Sequence, residues 1–74
     1  MSRRFHSIIR SDKLVLVDFY ADWCKPCKHL AAVLTELKQN YTESLKLVKV
    51  NVDKNPFIAT EYGVKSIPTI ILFK

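Results

Sequence analysis

The order of the predicted elements constrains the fold of this chain more than any other feature. Segments 14–20, 45–52 and 68–73 are rich in β-branched and aromatic residues, which is the pattern of β-strands. Segments with helical apolar spacing come before the first strand and between the strands. Strands that alternate with helices in this way predict an α/β layered fold with crossover connections.

Three helices are predicted from apolar spacing and from residues that favour helix ends. The third begins with Asn-Pro, a good N-cap and first residue, and it closes at the only glycine of the chain, which suits a left-handed C-terminal position. The three are a short helix around Phe5, Ile8 and Ile9 that ends near Ser11-Asp12, a long helix from Cys24 or Pro26 to Asn40, and a short helix from Asn55-Pro56 to Gly63.

Length and composition predict one small globular domain, which we assign to residues 1–74. Hydrophobic residues make up 49% of the chain and charged residues 26%, an ordinary globular balance. The two cysteines are too few for a scaffold of several disulfides or for a four-cysteine zinc site. The apolar runs are shorter than the roughly 18 residues that cross a bilayer, so no membrane association is expected.

The net charge is positive, with 12 Lys and Arg against 7 Asp and Glu and a formal value of +5. The basic residues are not clustered with aromatic residues, so we expect a solvated surface that favours acidic partners and does not bind nucleic acid. Arg3 and Arg4 are not followed by the apolar segment of about 7–15 residues that a secretory signal needs. A cytoplasmic location is therefore expected, where cysteines are kept reduced or cycle between states.

The strongest chemical signal is the cysteine pair Cys24-Lys25-Pro26-Cys27, at the junction of the first strand and the long helix. A thiolate at a helix N-terminus meets unpaired N–H groups and the positive end of the helix dipole, and Lys25 adds a positive charge. We therefore expect the pKa of Cys24 to lie below that of an ordinary thiol. Cys27 follows one turn behind, close enough to bridge and less exposed. The expected mechanism is attack by Cys24 on a disulfide and resolution by Cys27.

Two other interpretations of the pair stay open on the motif alone. A Cys-x-x-Cys motif can supply half of a zinc site, although the only imidazoles, His6 and His29, are poorly spaced for one metal. Buried cysteines are also often inert packing residues.

Three separated motifs resemble the thioredoxin family. Residues 16–28 (LVDFYADWCKPCK) resemble its active-site region, whose usual core is W-C-G-P-C-K. Residues 50–53 (VNVD) resemble its strand that ends in Asp. Residues 62–69 (YGVKSIPT) resemble its Y-G-[IV]-x-[GS]-[IV]-P-T segment. The resemblance implies a thioredoxin-like fold and thiol–disulfide oxidoreductase activity. It also implies a mixed sheet with strand 14–20 in the middle and strand 68–73 antiparallel to the other two.

The resemblance also implies roles for single residues. Cys24 corresponds to the nucleophile and Cys27 to the resolving thiol, and Ile67–Pro68 corresponds to a cis peptide bond that faces them. Asp18 corresponds to the family carboxylate that takes a proton from the resolving thiol, and burial in an apolar run should raise its pKa. Lys49 corresponds to a lysine near that carboxylate. The residues expected to meet substrate are Trp23, Lys25, Pro26, Ile67 and Pro68.

The sequence departs from the family pattern in two respects. Lys25 replaces the usual glycine, and a cation there should favour the thiolate and make the disulfide more oxidising. The family's first strand, a last antiparallel strand, a last helix and a glycine-containing substrate loop have no counterpart, so we expect an incomplete fold. A sheet edge and an apolar face would then be exposed, and the chain could self-associate through that edge.

The leading functional hypothesis is a protein disulfide reductase of thioredoxin type. It would need no metal or organic cofactor, would act on protein disulfides, and would be reduced by a thioredoxin reductase, as the resemblance implies. The alternative is a thioredoxin-like binding or assembly module with weak or no redox activity. A metal site is the third hypothesis.

Overall fold

A computed structural model of the chain describes residues 2–74. The predicted order of elements is confirmed, with three helices and three strands in alternation. They are α1 (Ser2–Ile9), β1 (Leu14–Tyr20), α2 (Lys25–Asn40), β2 (Leu45–Asn51), α3 (Pro56–Glu61) and β3 (Thr69–Phe73).

The strands form one mixed sheet in the order β2-β1-β3. β1 pairs in parallel with β2, with Asp18 opposite Lys49, and it pairs antiparallel with β3, with Asp18 opposite Ile70. This is the expected arrangement, in which 14–20 is the middle strand and the last strand runs against the other two. The centre of the sheet is therefore the strand that leads into the cysteine pair.

One face of the sheet, the closed face, is covered by α1 and α3. Because side chains alternate along a strand, every second residue of β1 points to this face, and all three of these are fully buried. Phe5 of α1 and Ile58 of α3 complete the cluster with Val50 of β2. The three β1 residues are Val15, Val17 and Phe19.

The opposite face, the open face, is covered only in part by α2. Leu34 of α2 is buried, but apolar strand residues on this face keep large exposed fractions. Leu14 is 41% exposed, Ile70 39% and Leu72 48%. The expected exposure of apolar side chains on one sheet face is thus observed. An apolar groove lies between the strands and the C-terminal half of α2, lined in part by Leu16 and Leu37.

Two strand boundaries were predicted wrongly by one residue. The second strand was expected to end at Val52 but ends at Asn51, because the Asn51 side chain turns the backbone by accepting the N–H groups of Asp53 and Lys54, at 2.9 and 3.2 Å. The third strand was expected to begin at Pro68 but begins at Thr69. Proline has no N–H to donate to the ladder, so pairing starts one residue later.

Helix ends also differ in detail from the predictions. α1 ends at Ile9 rather than near Ser11-Asp12. Asn55 is the N-cap residue of α3 as predicted, but its side chain does not cap the helix and instead donates to the Asn51 carbonyl at 3.0 Å. Gly63 has a φ of +69°, which confirms the left-handed position predicted for it.

Backbone hydrogen bonds at Gly63 and Val64 explain why α3 ends at Glu61, two residues before Gly63. The Gly63 N–H donates to the Thr60 carbonyl at 3.1 Å, and the Val64 N–H donates to the Ala59 carbonyl at 2.9 Å. This pair of bonds is the Schellman motif, which satisfies the last carbonyls of a helix and turns the chain. The turn directs residues 64–68 toward the cysteine end of the sheet, where Ile67 contacts the cysteine cluster.

Candidate active site

The first turn of α2 holds the cysteine pair. Cys24 is the N-cap residue, with extended backbone, and its N–H donates to the Ala21 carbonyl at 3.1 Å. Its Sγ accepts the backbone N–H of Cys27 at 3.2 Å. A side chain that accepts an N–H in this position does what Ser or Asp does at an ordinary N-cap. The sulfur of Cys24 therefore sits where unpaired helix N–H groups and the helix dipole favour negative charge.

Cys24 and Cys27 form a disulfide, with their Cα atoms 5.3 Å apart. The prediction that one helical turn brings the two sulfurs within bridging distance is confirmed. Both residues are buried, and Cys27 at 2% exposure is slightly less exposed than Cys24 at 4%, as was expected for the two positions. They pack against Ala21, with Ile67 beside them.

Asp18 lies beneath this pair, on the open face of the sheet. Its side chain is 1% exposed, and neither carboxylate oxygen has a hydrogen-bond partner among the described residues 2–74. Loss of hydration on burial raises the pKa of Asp18 above its ordinary value, and the charge of Lys49 lowers it in part. Asp18 thus shows the raised pKa expected from its sequence context.

A cleft of about 180 Å³ lies between Asp18 and Cys27. Cys27 and Lys49 line it together with Asp18. Lys49 is exposed and lies opposite Asp18 in the parallel ladder. Only the family resemblance predicted that these three residues lie near one another. The pairing of β1 with β2 explains why Lys49 lies beside Asp18.

Trp23 projects from the surface next to the cysteines and is 69% exposed. Its indole Nε1–H donates to a carboxylate oxygen of Asp53 at 2.9 Å, which fixes the ring although most of it is in solvent. Trp23 and Ile67 line a groove of about 380 Å³ on this side of the disulfide. The Ile67–Pro68 peptide bond is cis and Pro68 is half-buried.

The remaining predicted site residues lie on the exposed surface of the first turn of α2. Lys25 is the first residue of the helix and Pro26 the second, and both are exposed. Proline is favoured here because the N–H that it lacks would have no helical partner. The structure therefore brings Trp23, Lys25, Pro26 and Ile67 to the same end of the sheet as the cysteine pair.

Two residues that organise this end of the molecule were not predicted to do so. Asp53 holds the Trp23 ring, and Asn51, which is 7% exposed, forms the turn that brings Asp53 to this position. The available signal was the Asn-x-Asp sequence at the end of a strand, because Asn and Asp side chains favour such turns. The partner of the turn, Trp23, lies 30 residues away in the chain, and no local pattern indicates that contact.

The two histidines do not join the cysteines. His6 Nε2 lies 2.7 Å from a carboxylate oxygen of Glu61, where α1 meets α3, and His29 is exposed on α2. Within residues 2–74, no group of three His, Cys, Asp or Glu side chains is arranged to hold a metal ion. None of the helices described there combines the length and apolar character that a membrane span requires.

Comparison with known proteins gives consistent matches along the chain. The thioredoxin family model matches residues 1–74. A thioredoxin from Griffithsia pacifica is 53% identical over 70 residues, which are 93% of this chain and 64% of that protein. Thioredoxin 1 from Synechococcus elongatus is 49% identical over 67 residues, which are 90% of this chain and 63% of that protein. The chain thus spans a little under two thirds of the length of these relatives.

The solved structures agree with the sequence comparison. The crystal structure of oxidised mitochondrial thioredoxin 3 from Saccharomyces cerevisiae has a TM-score of 0.91 to this chain at 40% identity. The match covers 99% of this chain and 68% of that one, so every element described above has a counterpart there. A family match over the whole length, together with this shared fold and a cysteine pair that caps a helix, places the chain in the thioredoxin family.

Proposed function

We propose that the chain is a thiol–disulfide oxidoreductase that reduces protein disulfides. The observation that supports this best is the position of the Cys24 Sγ, which accepts the Cys27 N–H at the start of a 16-residue helix and is bonded to its partner one turn away. A sulfur held in this way is stabilised as a thiolate, the form that attacks disulfides. Residues 1–74 are proposed to act as one domain.

The proposed reaction transfers two electrons from the protein to the substrate. The Cys24 thiolate attacks one sulfur of the substrate disulfide, forms a mixed disulfide and releases the other substrate sulfur as a thiolate. The Cys27 thiolate then attacks the Cys24 sulfur, which forms the Cys24–Cys27 disulfide and releases the second substrate thiolate. The two substrate thiolates take up protons, so one disulfide is reduced while one dithiol is oxidised.

Asp18 is proposed to take the proton from Cys27 before the second step. Its carboxylate shares a cleft with Cys27, and burial raises the pKa of Asp18, which makes the carboxylate a better proton acceptor. Lys49 is proposed as a positioning residue that limits this increase, since its charge favours the ionised carboxylate. Asp18→Asn should therefore slow resolution of the mixed disulfide more than it slows the first attack.

The proposed docking surface surrounds the disulfide on the end of the sheet. It is a mixture of an exposed aromatic ring, the first turn of α2 and a short extended segment that borders the groove. A substrate chain there would lie over the sulfur of Cys24, which is otherwise almost without solvent contact. The proposed residues are Trp23, Lys25, Pro26, Ile67 and Pro68.

Substitution of each cysteine tests the proposed function. Insulin reduction is measured with dithiothreitol as the electron source, and then with a thioredoxin reductase, the proposed physiological reductant. Cys24→Ser should abolish turnover, and Cys27→Ser should accumulate a mixed disulfide that mass spectrometry detects. Turnover that persists in Cys24→Ser would remove the assignment. Equal zinc content in the parent and in Cys24→Ser is the control against a metal site.

Lys25 is proposed to make the disulfide more oxidising than a glycine there would. The cation lies at the first position of α2, beside the sulfur that becomes a thiolate on reduction, so it stabilises the reduced form. A redox titration of Lys25→Gly should give a more negative reduction potential than that of the parent. Identical potentials would contradict this role.

A second candidate function is a binding or assembly module that uses the open face and the free edge of β3. Ile70 and Leu72 of this strand are 39% and 48% exposed, which favours contact with a second apolar surface. Self-association through this edge would appear as a dimer by light scattering, and Leu72→Lys should reduce it. Fast alkylation of reduced Cys24 at mildly acidic pH would favour the oxidoreductase, whereas slow alkylation would favour the module.

We also propose a cytoplasmic location. The proposed cycle needs a compartment that supplies reducing equivalents, and a reducing compartment keeps the pair available as a dithiol. Measuring the fraction of oxidised pair in rapidly acid-quenched cells tests this, since a fully oxidised pair would contradict it.

A further inference from the structure

We propose that lysines next to the disulfide direct the chain toward substrate disulfides flanked by acidic residues. This inference rests on the proposed function, because it names the class of disulfide that the same site would reduce. It is carried by two placements: Lys25 directly follows Cys24 at the start of α2, and Lys65 lines the groove with Ile67, which packs against the Cys24–Cys27 pair.

The first lysine, Lys65, lines the groove next to Trp23. Ile67, in its wall, packs against the cysteine cluster, so a peptide in the groove lies directly beside the disulfide. Lys65 is exposed and, among the groove residues within 2–74, it is the only one with a charge. The groove lining consists of Trp23, Val52, Val64, Lys65, Ser66 and Ile67. A substrate residue that enters this apolar groove therefore meets one charge, and that charge is positive.

The second lysine, Lys25, lies on the outer surface of the first turns of α2. A shallow hollow there is lined by Lys25, Lys28, His29 and Ala32. Lys25 directly follows Cys24 in the chain, and both lysines are exposed. The helix N-terminus adds partial positive charge at the same place. A substrate chain that contacts both the groove and the hollow meets a lysine in each.

The acidic residues near the site offset these charges only in part. Asp22 lines the separate cleft beneath the cysteines, on the side where Asp18 is buried with a raised pKa. The Asp53 carboxylate accepts the indole N–H of Trp23 and lines neither the groove nor the hollow. The surfaces that a substrate chain would touch are therefore net positive.

Exposed charges of this kind act mainly on association and are weakened by salt. At 0.1 M ionic strength the screening length is about 10 Å, so lysines next to the disulfide still affect residues that flank a bound substrate disulfide. Electrostatic complementarity of this type changes association rates more than the chemical step. The preference should therefore be large at low salt and small at high salt.

Three synthetic disulfide peptides test the inference. They share the same two cysteines and carry Glu, Gln or Lys at the positions that flank them. The chain is reduced with dithiothreitol and desalted, and the second-order rate of peptide reduction is followed by chromatography. The expected order of rates is Glu, Gln, Lys, with a Glu-to-Lys ratio of about tenfold at 10 mM salt that falls below about twofold at 1 M salt.

Charge reversal at the groove and at a distant site separates the local effect from net charge. Lys65→Glu should lower the Glu-to-Lys ratio at least about threefold, and Lys65→Gln should give an intermediate ratio. Lys13→Glu is the matched control, because it changes the net charge by the same amount as Lys65→Glu. Lys13 is exposed next to the far end of β1, and the strand separates it from the cysteine end by about 20 Å. Its ratio should equal that of the parent. Circular dichroism confirms folding of each variant.

Two results would overturn the inference, and they differ from failure of the proposed function. Equal rates for the three peptides at 10 mM salt would reject the charge preference and leave disulfide reduction intact. An unchanged ratio in Lys65→Glu would also reject it. If none of the peptides is reduced by the parent chain, the proposed function itself is wrong.

Discussion

The two faces of the sheet differ sharply, although the same strands form both. On the closed face, the β1 residues Val15, Val17 and Phe19 have no solvent exposure. On the open face, their neighbours in the chain include Leu14, which is 41% exposed, and Asp18, which is buried without a hydrogen-bond partner in the described residues. One face thus has the packing of a core, and the other tolerates defects that a core would not.

This difference indicates that the closed face contributes mainly to stability, whereas the open face contributes to the proposed chemistry. Apolar burial contributes most of the stability of a small domain, so the closed face is expected to hold the fold together. A buried carboxylate beside a reactive disulfide is unfavourable for stability but useful for moving a proton. The proposed chemistry is therefore concentrated at one end of the face that contributes less to stability.

The largest predicted effect is on the closed face. Phe19→Ala should cost about 3–5 kcal/mol of unfolding free energy, because it removes a fully buried ring and leaves a cavity. A core of this size supplies only ~3–5 kcal/mol, so the variant should be unfolded by far-UV circular dichroism.

The matched substitution on the open face is Leu72→Ala. Leu72 is already 48% exposed, so its loss should change the free energy of unfolding by less than about 1 kcal/mol in urea titrations. Similar losses for Phe19→Ala and Leu72→Ala would contradict the distinction between the faces.

The next largest effect on the free energy of unfolding is expected at Gly63, in the turn that follows α3. Gly63 has a φ of +69°, and nothing lies within 4 Å of the position that a Cβ would take. Gly63→Ala should therefore cost about 1–2 kcal/mol from backbone conformation alone, without a steric clash. Gly63→Asn should cost less, because Asn tolerates the left-handed region better. A loss for Asn equal to that for Ala in urea titrations would argue against this explanation.

On the open face, Asp18 should make stability depend on pH. Its ordinary pKa is 3.8 and its folded pKa is raised, mainly by desolvation. Between pH 3.8 and the folded pKa, Asp18 stays protonated in the folded state but is ionised in the unfolded state. The contribution of Asp18 to stability therefore falls as the pH rises through this range. Asp18→Asn removes the charge and should stabilise the chain by about 1 kcal/mol at pH 7, with less gain at pH 4. Urea titrations at both pH values check this, and an equal gain at each pH would contradict it.

The smallest effect is expected at the contact between the His6 and Glu61 side chains, which joins the two helices of the closed face. The side chains are 45% and 38% exposed, and exposed pairs contribute about 0–1 kcal/mol. Glu61→Gln should therefore lower the melting temperature only slightly. A loss as large as that of Gly63→Ala would mean that the pair is a main attachment of α1.

Local sequence signals predicted most of the fold and half of the site. Apolar spacing, β-branched residues and the helix-end residues at Pro56 and Gly63 act over a few positions, so they could be recognised without the structure. The spacing of Cys24 and Cys27 likewise predicted a bridge, because one helical turn fixes that distance. The errors at Val52 and Pro68 fall at strand ends, where a side-chain turn and a missing N–H decide the last pairing.

Contacts between distant segments could be learned only from the folded chain. The Trp23–Asp53 hydrogen bond, the cleft shared by Asp18 and Cys27, and the groove that presents Lys65 all depend on how strands and loops are brought together. The sequence by itself determined the elements and the reactive pair, since these depend on backbone preferences over a few residues. The tertiary structure decided which polar groups meet at that pair and which apolar face stays open, because both depend on the register and the order of strands far apart in the chain.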